Sequence, residues 1–243
     1  MRTVRVFCHA PLQVDCEFEL DQRATHHLLR VLRRRVGDAI ELFDGSGVQA
    51  RAELTVASRR DGCRVRVIEA ARVDRESPLS IVLVQALARG EKMDWIIQKA
   101  VELGASEIRP IVSQRCDVRP DPARTERQRA RWREIVINAC EQSGRNLVMP
   151  VAPPVILDEL QIESRDRYYL HPEAGSGLGQ ANLSSSRVAI AIGPEGGWSD
   201  QDLQVLRRLE FKPASLGPRV LRSETAGMTA LAVLQSLGGD FSG

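Results

Sequence analysis

Histidine is scarce in this chain, with four in 243 residues, and the five cysteines (8, 16, 63, 116, 140) are odd in number and lack metal-ligand spacing. Together these shortages argue against a metal centre and against a disulfide framework. They suit thiols in a reducing, cytoplasmic setting. No apolar run reaches the length of a membrane span, and residues 1–5 lack the pattern of a secretory leader. Two phosphate-binding signatures are also missing. There is no Gly-Lys-Ser/Thr of a P-loop, and no Gly-x-Gly-x-x-Gly, which a dinucleotide-binding sheet carries after its first strand. Lysine is nearly absent, since arginine supplies 31 of the 34 basic residues. Arginine forks match phosphate geometry, although a bias in the source genome gives the same count. Net charge is only +2. Residues 1–75 hold 14 basic and 11 acidic side chains and 76–243 hold 20 and 21, so charge alone identifies no nucleic-acid binder.

What is present divides at residues 73–79 (Val-Asp-Arg-Glu-Ser-Pro-Leu), a polar stretch with Pro78 at its end. Before it the pattern predicts a small β-rich domain with one helix. Residues 25–35 have helical spacing, with Leu28 and Leu32 apolar, His27, Arg30 and Arg34 on a polar stripe, and Gly37-Asp38 as the stop. Strands are expected at 39–43 and 48–56, joined by the hairpin signal Asp44-Gly45-Ser46-Gly47, and at 63–70. A basic helix on such a domain suits phosphate contacts, or is simply a solvated face.

Beyond the linker, strands alternate with helices. Strands are expected at 81–87, 108–112, 147–151, 168–171, 188–192 and 214–216, and helices at 91–103 and 122–143. The first helix turns Met93, Ile96, Ile97, Ala100 and Val101 inward, with Gly104 at its end. The second turns Trp132, Ile135, Val136, Ala139 and Cys140 inward. This alternation predicts an α/β domain with a largely parallel sheet, and 43 % apolar content supplies its core.

Two late loops carry the chemistry. Residues 193–197 (Gly-Pro-Glu-Gly-Gly) join a buried strand to a helix that Ser199 caps with Asp202. Residues 215–230 run from a short strand through a polar turn (Arg219, Arg222, Ser223, Glu224, Thr225) into a helix of small residues. Both loops belong at the C-terminal ends of strands, where open α/β sheets bind ligands. Either one alone is equally an ordinary strand-to-helix turn. Two helical stripes add candidates: Lys92, Trp95, Lys99 and Glu102, and at the end of the long helix Asn138, Glu141, Gln142 and Arg145. Amide, carboxylate and guanidinium groups at a helix end can read bases or hold phosphates. Residues 115–133 hold seven arginines against three acids, a footprint for RNA or plain solvated charge.

Five segments resemble one family. They are 27–33 (His-Leu-Leu-Arg-Val-Leu-Arg), 98–104 (Gln-Lys-Ala-Val-Glu-Leu-Gly), 141–145 (Glu-Gln-Ser-Gly-Arg), 192–197 (Ile-Gly-Pro-Glu-Gly-Gly) and 216–226 (Leu-Gly-Pro-Arg-Val-Leu-Arg-Ser-Glu-Thr-Ala). They are similar to the RsmE family, whose members use S-adenosylmethionine to methylate N3 of a uracil in 16S ribosomal RNA. The resemblance implies a PUA-like β-barrel RNA-binding domain over 1–75. It implies a SPOUT domain over 76–243, with a parallel sheet and a C-terminal trefoil knot. It also implies a homodimer acting on 16S rRNA, within the small ribosomal subunit, without membrane or metal.

Cofactor contacts are then expected at Leu170, His171, Gly193, Glu195, Gly196, Gly197, Leu216, Gly217, Leu221 and Thr225. RNA contacts are expected at Arg30, Arg34, Lys99, Asn138, Gln142 and Arg145. Arg222 is the expected stabiliser of charge on the uracil oxygens. Glu141 is taken as a catalytic residue, although Glu195, Glu224 and water are equally open as the proton acceptor. The alternatives are a ribose 2′-O-methyltransferase of the same superfamily and a non-catalytic RNA-binding assembly factor.

Overall fold

The computed structural model describes residues 4–58, 60–118 and 122–242. They form two compact units. One takes the chain up to Glu76 together with Cys140–Val148, and the other takes Ser77–Ala139 and the chain from Met149 onward.

The first unit contains β1 (Arg5–Phe7), β2 (Glu17–Glu19), α1 (Gln22–His26), β3 (Ala39–Phe43), β4 (Val48–Ser58) and β5 (Gly62–Arg72). Its sheet runs β1-β3-β4-β5-β2, antiparallel except where β1 lies beside β3. Register shifts at Arg51/Ala52 and Leu54/Val56 bend the long β4–β5 pair around a core of Val6, Leu28, Ile40, Leu42, Leu54 and Val65. The expected hairpin is present. The expected helix differs. It starts at Gln22, because Asp21 accepts the Ala24 N–H at 2.7 Å, and it passes into one π turn at His27–Val31. Arg33, at φ 52°, breaks the run well before Gly37-Asp38. Strands β1 and β2 have three residues each, too few for alternation to announce them.

The second unit contains β6 (Ser80–Ala86), α2 (Glu91–Glu102), β7 (Glu107–Val112), α3 (Pro122–Ser143, its last turn counted with the first unit), β8 (Val155–Ile156), β9 (Asp166–Leu170), β10 (Arg187–Ile192), α4 (Asp200–Arg208), β11 (Lys212–Ala214) and α5 (Ser223–Gly238). The sheet order is β11-β9-β10-β6-β7-β8 and every pairing is parallel. Ile81, Leu83, Val84, Val188 and Ile190 are wholly buried, as central strands covered on both faces require. Helix α2 buries the five residues expected of it, and Gly104 follows its end at φ 74°. On α3, Ile137 is buried and Ile135 only half-buried.

Two strands are not where the pattern put them. Residues 147–151 make only isolated bridges, Ser46 to Leu147 and Ile108 to Val151. Pro150 has no N–H to extend a ladder, so β8 takes the edge beside β7. Strand β11 stops at Ala214. Ser215 instead donates its N–H to Ser176 O at 2.9 Å, and its carbonyl accepts from Leu178 N–H at 2.8 Å. Among the described residues no helix is long and apolar enough to cross a membrane.

Candidate functional site

A cleft of about 660 Å³ opens in the second unit where β9, β10 and β11 end. The loops after these strands build it, as expected of an open parallel sheet. Leu170, His171 and Pro172 come from the first loop. The second supplies Gly193, Pro194, Glu195, Gly197 and Trp198, and the third runs from Ser215 to Ser223. Close approach explains the first glycine: a Cβ on Gly193 would lie 3.0 Å from Cε2 of Trp198. That indole is fixed in turn, donating Nε1–H to Leu170 O at 3.0 Å. Gly197 and Gly217 adopt φ of 68° and 93°, which favour glycine. Behind the loop, Ser199 and Asp202 form the expected capping box on α4.

The charged groups at the rim are sorted by Lys92, on the first turn of α2. Its Nζ lies 2.6 Å from Glu195 and 4.0 Å from Glu224. The hydrogen bond from Lys92 holds the Glu195 carboxyl below its usual range, and Lys92 itself is raised by the same contact. Arg222 lines the cleft and makes no ion pair among the described residues. It occupies the N-cap of α5 in an extended conformation, without a capping bond. Among the described residues, no group of histidine, cysteine, aspartate and glutamate is arranged to hold a metal ion.

Most expected cofactor contacts come together here. Leu170, His171, Gly193, Glu195, Gly197, Leu216, Gly217 and Leu221 line the cleft beside Arg222. Gly196 and Thr225 do not. Gly196 faces Arg115, which donates Nη1–H to its carbonyl at 3.1 Å, and a Cβ there would lie 3.2 Å from Arg115 Cβ. Thr225 is exposed on α5, and its carbonyl accepts from Thr229 Oγ1.

Glu141 lies in the first unit and is absent from the cleft lining. Its carboxylate receives Arg23 at 2.7 Å and the Phe7 N–H at 3.0 Å. Both donors come from its own unit and from more than 100 positions away. Arg145 is 6 % exposed and its guanidinium fork is closed on Glu76. Arg30, Asn138 and Gln142 are exposed, Arg34 lies 3.8 Å from Asp38, and Lys99 pairs with Glu102 at 2.8 Å. Of the arginine-rich stretch, Arg119 and the side chain of Arg124 lie outside the described residues.

Sequence reasoning missed Arg115 and Trp198 as parts of the site. Arg115 appeared only in a charge count, and its contact with Gly196 spans 81 positions, so no local pattern carries it.

Comparison with known proteins gives a consistent result. Residues 75–235 match the model of an RNA methyltransferase domain, and residues 20–68 match that of an RNA methyltransferase PUA domain. The chain is 33 % identical over 238 residues to a ribosomal RNA small subunit methyltransferase E from Synechocystis sp., covering 94 % of this chain and 76 % of that one. A solved ribosomal RNA small subunit methyltransferase E from Neisseria gonorrhoeae, bound to S-adenosyl methionine, is 38 % identical with a TM-score of 0.89. That match covers 99 % of this chain and 100 % of the other. A Legionella pneumophila protein in complex with the cofactor SAM matches over the same shares, at 38 % identity and a TM-score of 0.94.

Proposed function

The chain belongs to the ribosomal RNA small subunit methyltransferase E family, and on that premise we propose that it methylates N3 of one uridine in 16S rRNA. S-adenosylmethionine is the methyl donor, and it supplies an electrophilic methyl group. The cleft suits it in size, since ligand sites of this kind run to about 300–1,000 Å³. Leu170, Ile192, Leu216 and Leu221 give apolar walls, Gly193 admits close backbone approach, and Arg115, Glu173, Glu195 and Arg222 give a charged rim.

The observation that carries the reading is the unpaired guanidinium of Arg222 in that cleft. N3 of uracil gives up its proton as it takes the methyl group from the sulfonium sulfur, and where proton loss runs ahead of N–C bond formation, transient negative charge develops on O2 and O4. A cation beside those oxygens stabilises the transition state more than the ground state. Lys92 bonds Glu195 at 2.6 Å and lies 4.0 Å from Glu224, and neither acid forms an ion pair with Arg222 among the described residues. For the proton, Glu195 is a weak acceptor, because Lys92 stabilises its ionised form. Glu224 keeps acceptor capacity, with Oε2 buried and unpartnered among the described residues. Because N3 lies on the Watson–Crick edge, the uridine is unpaired or flipped out when it reacts.

The finer assignments belong to the same proposal. Arg30 and Arg34 on the first unit, with Lys99, Asn138 and Gln142, contact the RNA. The enzyme is a cytoplasmic homodimer with the family's knotted C-terminal topology. Gly227 and Ala230 pack into the chain's own core, which leaves Ala226, Thr229, Val233 and Leu237 as the outward stripe of α5 available to a second copy.

The test offers methyl-labelled S-adenosylmethionine to unmodified small subunits, free 16S RNA and tRNA, and then identifies the labelled nucleoside. N3-methyluridine from small-subunit RNA is expected. Label on a ribose 2′-oxygen would replace this reading with the ribose alternative. RNA binding without any transfer would replace it with an assembly factor.

A further inference from the structure

A glutamine interrupts β6, a buried and otherwise largely apolar central strand. Gln85 is the sixth residue of β6, Ser-Ile-Val-Leu-Val-Gln-Ala, and is wholly buried. In register it sits between Ile192 of β10 and Pro110 of β7, so it lies level with the residue that enters the glycine loop. Its Nε2 donates to Ala86 O at 3.1 Å and to Ser223 Oγ at 3.0 Å. The Ala86 carbonyl can only accept, which fixes the amide with its NH₂ toward that carbonyl and toward Ser223. Ser223 Oγ is therefore the acceptor from Gln85, and its single proton goes to Gly193 O, 2.8 Å away. The peptide group between Gly193 and Pro194 has no N–H, so this carbonyl is its only hydrogen-bonding handle. A Cβ at Gly227, one turn after Ser223, would lie 3.2 Å from Gln85 Oε1, so the glycine leaves room for the amide.

The other half of the amide is unmet. Gln85 Oε1 is buried with no hydrogen-bond partner among the described residues. The second wholly buried glutamine differs: Gln235 donates to Leu103 O at 2.9 Å and accepts from Ser77 Oγ at 2.6 Å. A buried acceptor without a donor is a net cost to stability. Gln235 is explained as structure, whereas Gln85 is not.

We propose that Gln85 is a positioning residue for methyl transfer, acting through the relay Gln85 → Ser223 → Gly193. This rests on the function proposed above. The relay fixes the direction of the Gly193 carbonyl and the separation between the glycine loop and the start of α5. Both partners of Gln85 in the relay line the cleft, and Arg222 immediately precedes Ser223. Gln85 is wholly buried and is not part of the cleft lining. Its effect is to hold two cofactor-contacting loops at one spacing.

The experiment uses the full-length protein carrying Gln85→Leu, Ser223→Ala, both changes, or Ser223→Thr. S-adenosylmethionine affinity is read by calorimetry, KM and kcat by methyl transfer, and Tm by melting. Gln85→Leu removes the unmet acceptor together with two donated bonds, so Tm is expected to change little while cofactor affinity falls on the order of tenfold, the scale of one hydrogen bond. KM for the cofactor should rise more than kcat falls. The double variant should be no worse than the worse single one, and Ser223→Thr, which retains the hydroxyl, should recover most of the affinity. Ser223→Ala carries the test if Gln85→Leu does not fold. Cofactor affinity within about twofold of the parent in Gln85→Leu or Ser223→Ala would overturn the relay, as would losses that multiply independently or merely follow a lowered Tm. A parent protein that binds no S-adenosylmethionine would instead remove the proposed function, and the relay with it.

Discussion

Arg222 stands where α5 begins, a position that favours Ser, Thr, Asp or Asn because their oxygens satisfy an orphan N–H. Arginine offers no such oxygen, and no side-chain cap is formed. The chain forgoes a cap there and gains a cation in the cleft. If that cation meets charge that develops only in the transition state, Arg222→Ala should slow single-turnover transfer by ~100-fold or more, with cofactor affinity little changed. Arg222→Lys should recover only part of the rate, since an ammonium lacks the planar fork. A normal rate in Arg222→Ala, measured by rapid quench, would remove the residue from the chemistry. Gly193 gives a steric counterpart. Its missing Cβ would lie 3.0 Å from Trp198, so Gly193→Ala should displace the indole and weaken S-adenosylmethionine binding, read by calorimetry. Affinity equal to the parent would show that the loop yields. These positions were legible because their motif is local. The partners of Glu141 and Arg145 were not, since a charged stripe does not reveal which group closes on each, here Arg23 and Glu76, more than 60 positions away.

Among the elements, the strongly periodic ones were legible. Helix α2 has its expected inward face, and the β3–β4 hairpin has its Gly-rich turn. Short strands and irregular ends were not, because a side-chain clasp or a missing N–H decides them. Asp166, at the start of β9, shows such a clasp. Its carboxylate accepts the Ser184 N–H at 2.7 Å, the Ser184 hydroxyl at 2.8 Å and the Ser185 N–H at 2.9 Å, tying the segment before β10 to the sheet. Burial alone would raise its pKa, but these donors outweigh burial and leave it lowered. A lowered folded value stabilises the protein fully above the ordinary aspartate range, and the benefit is lost as pH falls through the folded value. The Tm gap between the parent and Asp166→Asn should therefore be widest near neutral pH and shrink below the ordinary aspartate value. A gap that stays constant across that acid range would refute the assignment.

At the scale of the whole molecule, the polar stretch at 73–79 marks a change of pattern that the sequence displays. No local pattern displays the membership of Cys140–Val148 in the first unit. Within that unit Arg5 donates to Arg145 O at 3.0 Å and to Asn146 Oδ1 at 2.8 Å, Phe7 N–H and Arg23 reach Glu141, and Asn146 donates to Val73 O at 2.9 Å. A chain beginning at Ser77 keeps 140–148 and lacks all of these partners. Hydrogen bonds to charged groups contribute roughly 1.5–3 kcal/mol each. Such a chain should therefore melt on the order of 10 °C or more below full length. An unchanged Tm by calorimetry would show that the segment holds itself.

The same membership sets a timetable for synthesis. The last piece of the first unit is made 72 residues after Glu76, with most of a second sheet's opening strands and helices in between. At about 5–20 residues per second, that interval is roughly 4–14 s. During it, Arg5 Nη2 and the Phe7 amide await acceptors that the ribosome has not yet polymerised. An N-terminal unit of this kind does not finish first and then wait for its neighbour. It is complete only after α3 has been made, so the emerging chain holds the strands of its first sheet without their last partners for longer than their place at the N-terminus would suggest.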